Sequence, residues 1–280
     1  MKVLVTGAKG QLGSDVVKEL TVRKIETFPA DLDDFDITDK TDTLRYITQI
    51  NPDAVIHCAA YTAVDKAEEE PLICNAVNFM GSLNIVHACE ATGAKLVYIS
   101  TDYVFGGQGS EPFEVDSLKN PLSTYGKSKL MGEQAVLSFC SKSFIVRTSW
   151  VFGKNGGNFV KTMLKLGAEK ESITVVRDQV GSPTYTLDLA CILCDMVQTE
   201  KYGVYHATNE GLCSWAEFAA EIMKQADLPA KIIPVTTAEY NAKAARPLNS
   251  RLSKASLDEA GFNRLPPWQD ALKRFLAESE

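Results

Sequence analysis

Cationic residues, histidines and long apolar runs are all scarce in this 280-residue chain, and each shortage removes a class of function. Twenty-nine lysines and arginines face 36 acids, for a net charge of -7. Affinity for a phosphate backbone is therefore disfavoured, and no nucleic-acid partner is expected. A bound anionic metabolite stays open, because local backbone donors can override global charge. The longest apolar runs fall short of a membrane span, so no membrane partner is expected. No signal-peptide architecture precedes the strand pattern at Lys2–Val5, and the expected location is cytoplasmic. The three histidines, His57, His87 and His206, each sit beside apolar strand or helix residues and read as satisfied core histidines. The seven cysteines are an odd number, mostly in apolar contexts such as Val55–Ala59, which reads as reduced core thiols and not as disulfides. Cys191-x-x-Cys194 has metal-like spacing but lies in an apolar helical run with no second half, so no metal site is expected. Repeats, low-complexity segments and an obvious linker are also missing.

What is there is an ordinary globular balance, 45% hydrophobic and 23% charged, long enough for one large domain or two unequal ones. Val3–Thr6 is a β-rich run. Gly7-Ala8-Lys9-Gly10-Gln11-Leu12-Gly13 follows, and then Leu12, Val16, Val17 and Leu20 recur at helical spacing. A Gly-rich turn thus joins a buried strand to an amphipathic helix. Gly7, Gly10 and Gly13 permit positive φ and close approach to a pyrophosphate on the helix N-terminus. The spacing is G-x-x-G-x-x-G and differs from G-x-G-x-x-G. A second strand, near 25–28, ends close to Asp31, about twenty residues past the glycines, where an acid suits an adenosine ribose. Asp33, Asp34 and Asp36 compete for that role, and a solvated acidic loop is the plain alternative. An acid here disfavours a 2′-phosphate, which leans the reading towards NADH over NADPH.

Further strands are expected at 54–60, 95–100 and 144–148, with helices between them. Strands alternating with helices imply a parallel sheet with right-handed crossovers. Tyr61–Asp65 is a loop at the C-terminal edge of that sheet, where α/β ligands bind. The fourth strand runs into Ser100-Thr101, and a hydroxyl at that edge can bond a substrate carbonyl as it gains negative charge. Pro121 precedes a helix with Tyr125 and Lys129 four residues apart, on one face. A free tyrosine titrates near ~10; a lysine cation beside it favours the phenolate. Tyr125 is then a proton donor to a developing alkoxide, or a base in reverse. After Trp150 the rhythm loosens, apart from a helix at 186–198 and a strand at 203–206 that return to the main sheet. The expected fold is α/β: a Rossmann-type doubly wound parallel sheet over 1–150 and 186–208. A smaller, mostly C-terminal substrate domain covers 151–185 and 209–280.

With these motifs in order, the chain resembles the extended short-chain dehydrogenase/reductases. Blocks at Gly10–Gly13, Ala59–Glu68, Ser100–Phe105, Tyr125–Lys129, Arg147–Val151, Gly203–His206 and Arg246–Ser253 resemble, more narrowly, the dTDP-4-dehydrorhamnose reductase family. The resemblance covers essentially the whole chain. It implies NAD(P)H-dependent reduction of the C4 carbonyl of dTDP-4-dehydro-L-rhamnose to dTDP-L-rhamnose, a cell-surface polysaccharide precursor. By that resemblance Tyr125 protonates the alkoxide, Lys129 holds the nicotinamide ribose, and Thr101 bonds the C4 oxygen. Gly10, Gln11, Leu12, Asp31, Asp36, Ile37, Ala59, Ala60, Tyr61 and Thr62 would hold the dinucleotide. Val64, Asp102 and Trp150 would meet the sugar, and Arg251 would pair with the nucleotide pyrophosphate. Related 4,6-dehydratases place Asp-Glu after the threonine; here Asp102 is followed by Tyr103, which argues for carbonyl reduction. Some family members bind Mg²⁺ at a dimer contact, but no spacing here predicts such a site. A monomer or a homodimer is expected. Two other readings stay open: a reductase or epimerase of another nucleotide sugar, and a non-enzymatic regulatory subunit of the same fold.

Overall fold

The computed structural model describes residues 1–240 and 243–278. Its centre is a six-stranded sheet in which every pairing is parallel. The first five strands are β1 (Lys2–Thr6), β2 (Glu26–Ala30), β3 (Ala54–His57), β4 (Lys95–Thr101) and β5 (Ser143–Thr148). Gly203–His206 pairs with β5 and closes the sheet, giving the order β2-β1-β3-β4-β5-(203–206). The sheet expected from the sequence is the one observed, and the late strand does return to it. Val3, Leu4 and Val5 are all fully buried, as befits a strand covered on both faces. Alternate residues feed two cores. Val3, Val5, Ile56, Val97 and Val146 pack with helix α1 (Gln11–Val22) and the helix Thr186–Val197. Leu4, Val55, Leu96, Tyr98 and Ile145 pack on the other face with α2 (Lys40–Ile50) and the helices Ser82–Thr92 and Thr124–Phe139.

Local chemistry sets the helix ends. Asp39 caps α2 by accepting from the Thr41 and Asp42 amides at 2.8 and 2.9 Å, and Asn51 ends it in the left-handed region just before Pro52. Ser123 caps the helix Thr124–Phe139 through the Gly126 amide. The helical stretch Pro71–Thr92 contains a π turn at Ala76–Gly81. Among the described residues it is the one helix long and apolar enough to cross a membrane, which the sequence reading did not single out; half of its apolar window is buried inside the fold.

A third core gathers Phe152, Val160, Tyr185, Phe218, Trp268 and Phe275, under the helices Phe159–Glu169, Trp215–Gln225 and Trp268–Ala277. Leu257 and Leu265, although late in the chain, belong to the core of the main sheet. All seven cysteines are free thiols. His57 and His206 are buried at 2% and 0% exposure, but His87 is not a core residue; it lies exposed on its helix beside the Phe139 ring. In the helix Ser82–Thr92 its position falls on the face turned from the sheet.

Candidate active site

The strand order reverses between β2 and β3 on either side of β1, and ligands of open α/β sheets bind at such a switch point. A cleft of about 470 Å³ opens there. Gly7 occupies its floor at φ +65°, and a Cβ on it would lie 2.7 Å from the Ala59 amide nitrogen. No side chain fits, so backbone lines the cleft directly. The first turn of α1 carries no acidic residue, and its N-cap Gly10 offers no side chain to the amides behind it, leaving donors for an anion. These features fit the pyrophosphate of a dinucleotide.

Of the residues expected to hold a dinucleotide, Gly7, Gly10, Asp31, Asp36, Ile37, Ala59 and Ala60 line this cleft. The competing acids separate clearly. Asp31 accepts from the Lys9 and Leu32 amides, both at 2.9 Å, while Asp33 pairs with the Lys9 ammonium and Asp34 accepts from the Asp31 amide. Asp36 also accepts from the Thr38 amide. Other expected residues support the cleft from outside its lining. Gln11 Oε1 accepts from Asn158 Nδ2 at 2.9 Å, Leu12 is buried in the sheet core, and Gly13 sits under the Gly7 carbonyl. Tyr61 turns its hydroxyl to Glu70 at 3.0 Å, and Thr62 is exposed. Leu32, Phe35 and Val77, unassigned from sequence, supply apolar wall. The apolar letters within the acidic run 31–36 were the available signal.

The second part of the site lies at the ends of β4 and β5. Thr101 caps a short turn by accepting from the Tyr103 amide at 3.2 Å and donates to Asp102 Oδ1 at 3.0 Å. The Tyr125 ring meets the Tyr103 ring edge-on at 5.5 Å, which brings Tyr125 to the turn that Thr101 caps. Gly126 makes this possible: a Cβ there would lie 2.3 Å from the Tyr103 carbonyl oxygen, so the helix can only come this close with glycine. Gly126→Ala is expected to cost about 1–3 kcal/mol through overpacking. Urea unfolding measures this, and a loss inside ~0.5 kcal/mol would show that the helix can shift.

Lys129 lies on the same helix and is 3% exposed. Its ammonium stands 4.2 Å from the Tyr98 ring centroid, a cation–π position. Burial lowers its pKa to about 7, with Glu133 opposing. The sequence reading had the lysine cation drawing the Tyr125 phenol down; instead burial pushes that phenol up, with Thr101 pulling the other way. Desolvation outweighs the spacing argument because both groups sit in low dielectric. A raised pKa keeps Tyr125 protonated, the state of a proton donor.

Asp102 is 2% exposed, and its Oδ2 is buried with no hydrogen-bond partner among the described residues. Burial pushes its pKa up to about 6, against the Ser250 and Thr101 hydroxyls. Such an orphaned acceptor suits a ligand hydroxyl. Trp150 adopts φ +50°, rare for a bulky residue, and stacks on Trp215 at 3.8 Å. Val64 opens the short helix Val64–Ala67. Arg251 turns onto Asn249 Oδ1 at 2.9 Å, whereas Arg246 lines a second cleft of about 270 Å³ with Phe159, Trp215 and Tyr240.

Asn78 was not singled out as a site residue from sequence. It is 1% exposed within the π turn; it accepts from the Tyr61 amide at 2.8 Å and donates to Ser128 Oγ at 3.0 Å. Ser128 in turn donates to the Tyr125 carbonyl at 2.8 Å. One asparagine thus ties the cleft edge to the helix of Tyr125. Its partners lie 17 and 50 residues away, so no local pattern marks it.

A parallel sheet with a Gly-lined switch point, a threonine at the β4 end and a Tyr/Lys helix beside it define an extended short-chain dehydrogenase/reductase. The family model described as "RmlD substrate binding domain" matches residues 1–280, and the chain belongs to that family. It is 42% identical to the spore coat polysaccharide biosynthesis protein SpsK of Bacillus subtilis (strain 168), over 99% of this chain and 97% of that protein. It is 38% identical to the dTDP-4-dehydrorhamnose reductase of Aggregatibacter actinomycetemcomitans, over 100% of this chain and 99% of that one. A crystal structure of the dTDP-4-dehydrorhamnose reductase of Bacillus anthracis str. Ames in complex with NADP superposes with a TM-score of 0.97 at 45% identity, covering 99% of each chain.

Proposed function

We propose that this protein is an NAD(P)H-dependent oxidoreductase that reduces the C4 carbonyl of dTDP-4-dehydro-L-rhamnose to dTDP-L-rhamnose. The observation that carries the reading is the Gly7-floored cleft at the switch point of the sheet, with Thr101 at the end of β4 and Tyr125 gathered about Tyr103. Gly7, the α1 N-terminus, Asp31 and the Ala59–Ala60 edge hold the dinucleotide, which supplies a hydride when bound. Thr101 orients the carbonyl oxygen, and Tyr125 gives it a proton as negative charge develops there. Lys129, buried on the helix of Tyr125, supplies a cation when protonated. The unpartnered Asp102 Oδ2 accepts from a sugar hydroxyl, and Trp150 offers an apolar face. Tyr103 stands where a dehydratase would carry an acid, so proton delivery is the whole task of the polar groups.

Either nicotinamide is used on this reading. Asp31 favours free ribose hydroxyls, while Lys9, paired with Asp33 beside the same cleft, offers a cation to a 2′-phosphate. The unit built on the third core holds the nucleotide sugar over the sheet edge. The seven free thiols support a reducing compartment, the cytoplasm.

The deciding experiment incubates the protein with NADH or NADPH and a panel of 4-keto nucleotide sugars. Oxidation of the nicotinamide with dTDP-4-dehydro-L-rhamnose is expected. Its absence, with turnover of another sugar, would move the assignment to that sugar. Binding of nicotinamide with no turnover of any would favour a regulatory subunit.

The pH profile offers a further check. Lys129 titrates at about 7 in the free protein, so kcat/KM is expected to fall as pH rises through that value and the ammonium is lost. Lys129→Met should be less active and should lack this limb. A limb that persists in the variant belongs to another group. The matching effect on stability has the opposite sign. Between pH 7 and the ordinary lysine range the unfolded chain holds the extra proton, so stability rises with pH there.

A further inference from the structure

The second cleft and the arginine at its rim give the nucleotide end of the substrate a place. Phe159 and Trp215 lie 4.5 Å apart in that cleft, with Met163 and Tyr240 as further apolar wall and Gln179 as a polar member. A small aromatic pocket with few polar groups suits a flat base. Arg246 connects this pocket to the reaction point. Its charge acts on Tyr103, whose ring meets the Tyr125 ring edge-on at 5.5 Å. Tyr103 thus touches the proton donor and feels the Arg246 charge, and Arg246 itself lines the aromatic pocket. A nucleoside diphosphate sugar carries its phosphates between sugar and base.

Arg246 already has an acidic partner. Its Nη1 and Nη2 donate to Asp65 Oδ1 and Oδ2 at 3.0 and 2.6 Å. Two parallel bonds to a planar acid are also how a guanidinium takes a phosphate group. Asp65 accepts in addition from the Ala244 amide at 3.0 Å, and Lys243 pairs with Glu69. The Asp65 and Arg246 side chains are 50% and 24% exposed, so a ligand can reach the pair. With a net charge of -7, the chain needs a local cation to receive a diphosphate.

We propose that Arg246 binds the diphosphate of the nucleotide sugar, and that Asp65 is its resting counter-ion, displaced when the diphosphate arrives. The proposal rests on the nucleotide-sugar reading given above. It makes the ion pair a filter. A ligand without phosphate charge leaves the pair closed, and a diphosphate opens it by exchange.

Titration calorimetry with dTDP, which binds without chemistry, tests this, with NADP as the control ligand for the other cleft. Arg246→Gln is expected to weaken dTDP binding by about 10- to 100-fold. Arg246→Lys, a cation without the fork, should fall between. Asp65→Asn should tighten dTDP by about two- to fivefold, the worth of the exposed pair that no longer has to be broken. NADP affinity should hold in all three, which also shows that they fold. Arg246→Gln binding dTDP within about twofold of the parent protein would overturn the assignment of the arginine. Asp65→Asn weakening dTDP as Arg246→Gln does would make the pair a structural clasp and overturn the exchange. Parent protein that binds NADP and no dTDP would overturn the nucleotide-sugar reading, and this inference with it.

Discussion

Tyr125→Phe is expected to lower turnover by about 10²–10⁴-fold, the contribution of a positioned general acid. The ring stays, and with it the edge-on contact with Tyr103 at 5.5 Å. Only the hydroxyl is lost. Affinity for the nicotinamide should change little, because the Gly7 cradle is untouched. Single-turnover reduction with either nicotinamide measures the effect on the chemical step. A rate near that of the parent protein would hand the proton to another group. Asp102 would be the first to examine, since its pKa of about 6 leaves it partly protonated near neutrality.

The second large effect falls on stability. Arg147 and Glu133 are 1% exposed each and form a bidentate pair, Nε–Oε1 and Nη2–Oε2 both at 2.8 Å. Ser100 donates to Glu133 at 2.5 Å, and Arg147 Nη1 donates to the Val115 carbonyl at 2.8 Å. Glu133→Ala strands a buried guanidinium and is expected to cost about 3–5 kcal/mol. Urea unfolding measures the loss. A cost below ~1 kcal/mol would mean that neighbouring groups or water take over the charge. Replacing both partners with apolar residues of similar size should recover most of it, because the desolvation of two ions disappears with them. The single change has a chemical consequence too. Glu133 opposes the drop in the Lys129 pKa, so its loss should move the alkaline limb to lower pH.

The parts legible in the sequence are those written in short-range pattern. Val3–Thr6, the glycines after it and the apolar spacing of α1 specify the strand-turn-helix unit within twenty residues. Tyr125 and Lys129 share a helix face by spacing alone. Other features depend on distant partners. Asp31, Asp33, Asp34 and Asp36 are equivalent by composition, and only the folded turn gives Asp33 to Lys9 and leaves Asp31 on the cleft. Arg246 and Arg251 sit five residues apart in one basic stretch, yet one forks Asp65 and the other folds onto Asn249. His87 has apolar neighbours in sequence, as His57 does, but a helix turns about 100° per residue, which carries His87 off the buried face that Val86 and Ala88 share. The pKa of Tyr125 depends on burial, which no spacing encodes.

The stacked Trp150 and Trp215 rings have a spectroscopic consequence. The chain has three tryptophans, and Trp150, Trp215 and Trp268 all belong to the third core. Tryptophan fluorescence therefore reports on that unit and is nearly blind to the parallel sheet. The two indoles at 3.8 Å and 14° should also couple in circular dichroism. Loss of that couplet on heating, with the far-ultraviolet signal retained, would reveal the unit built on the third core melting ahead of the parallel sheet.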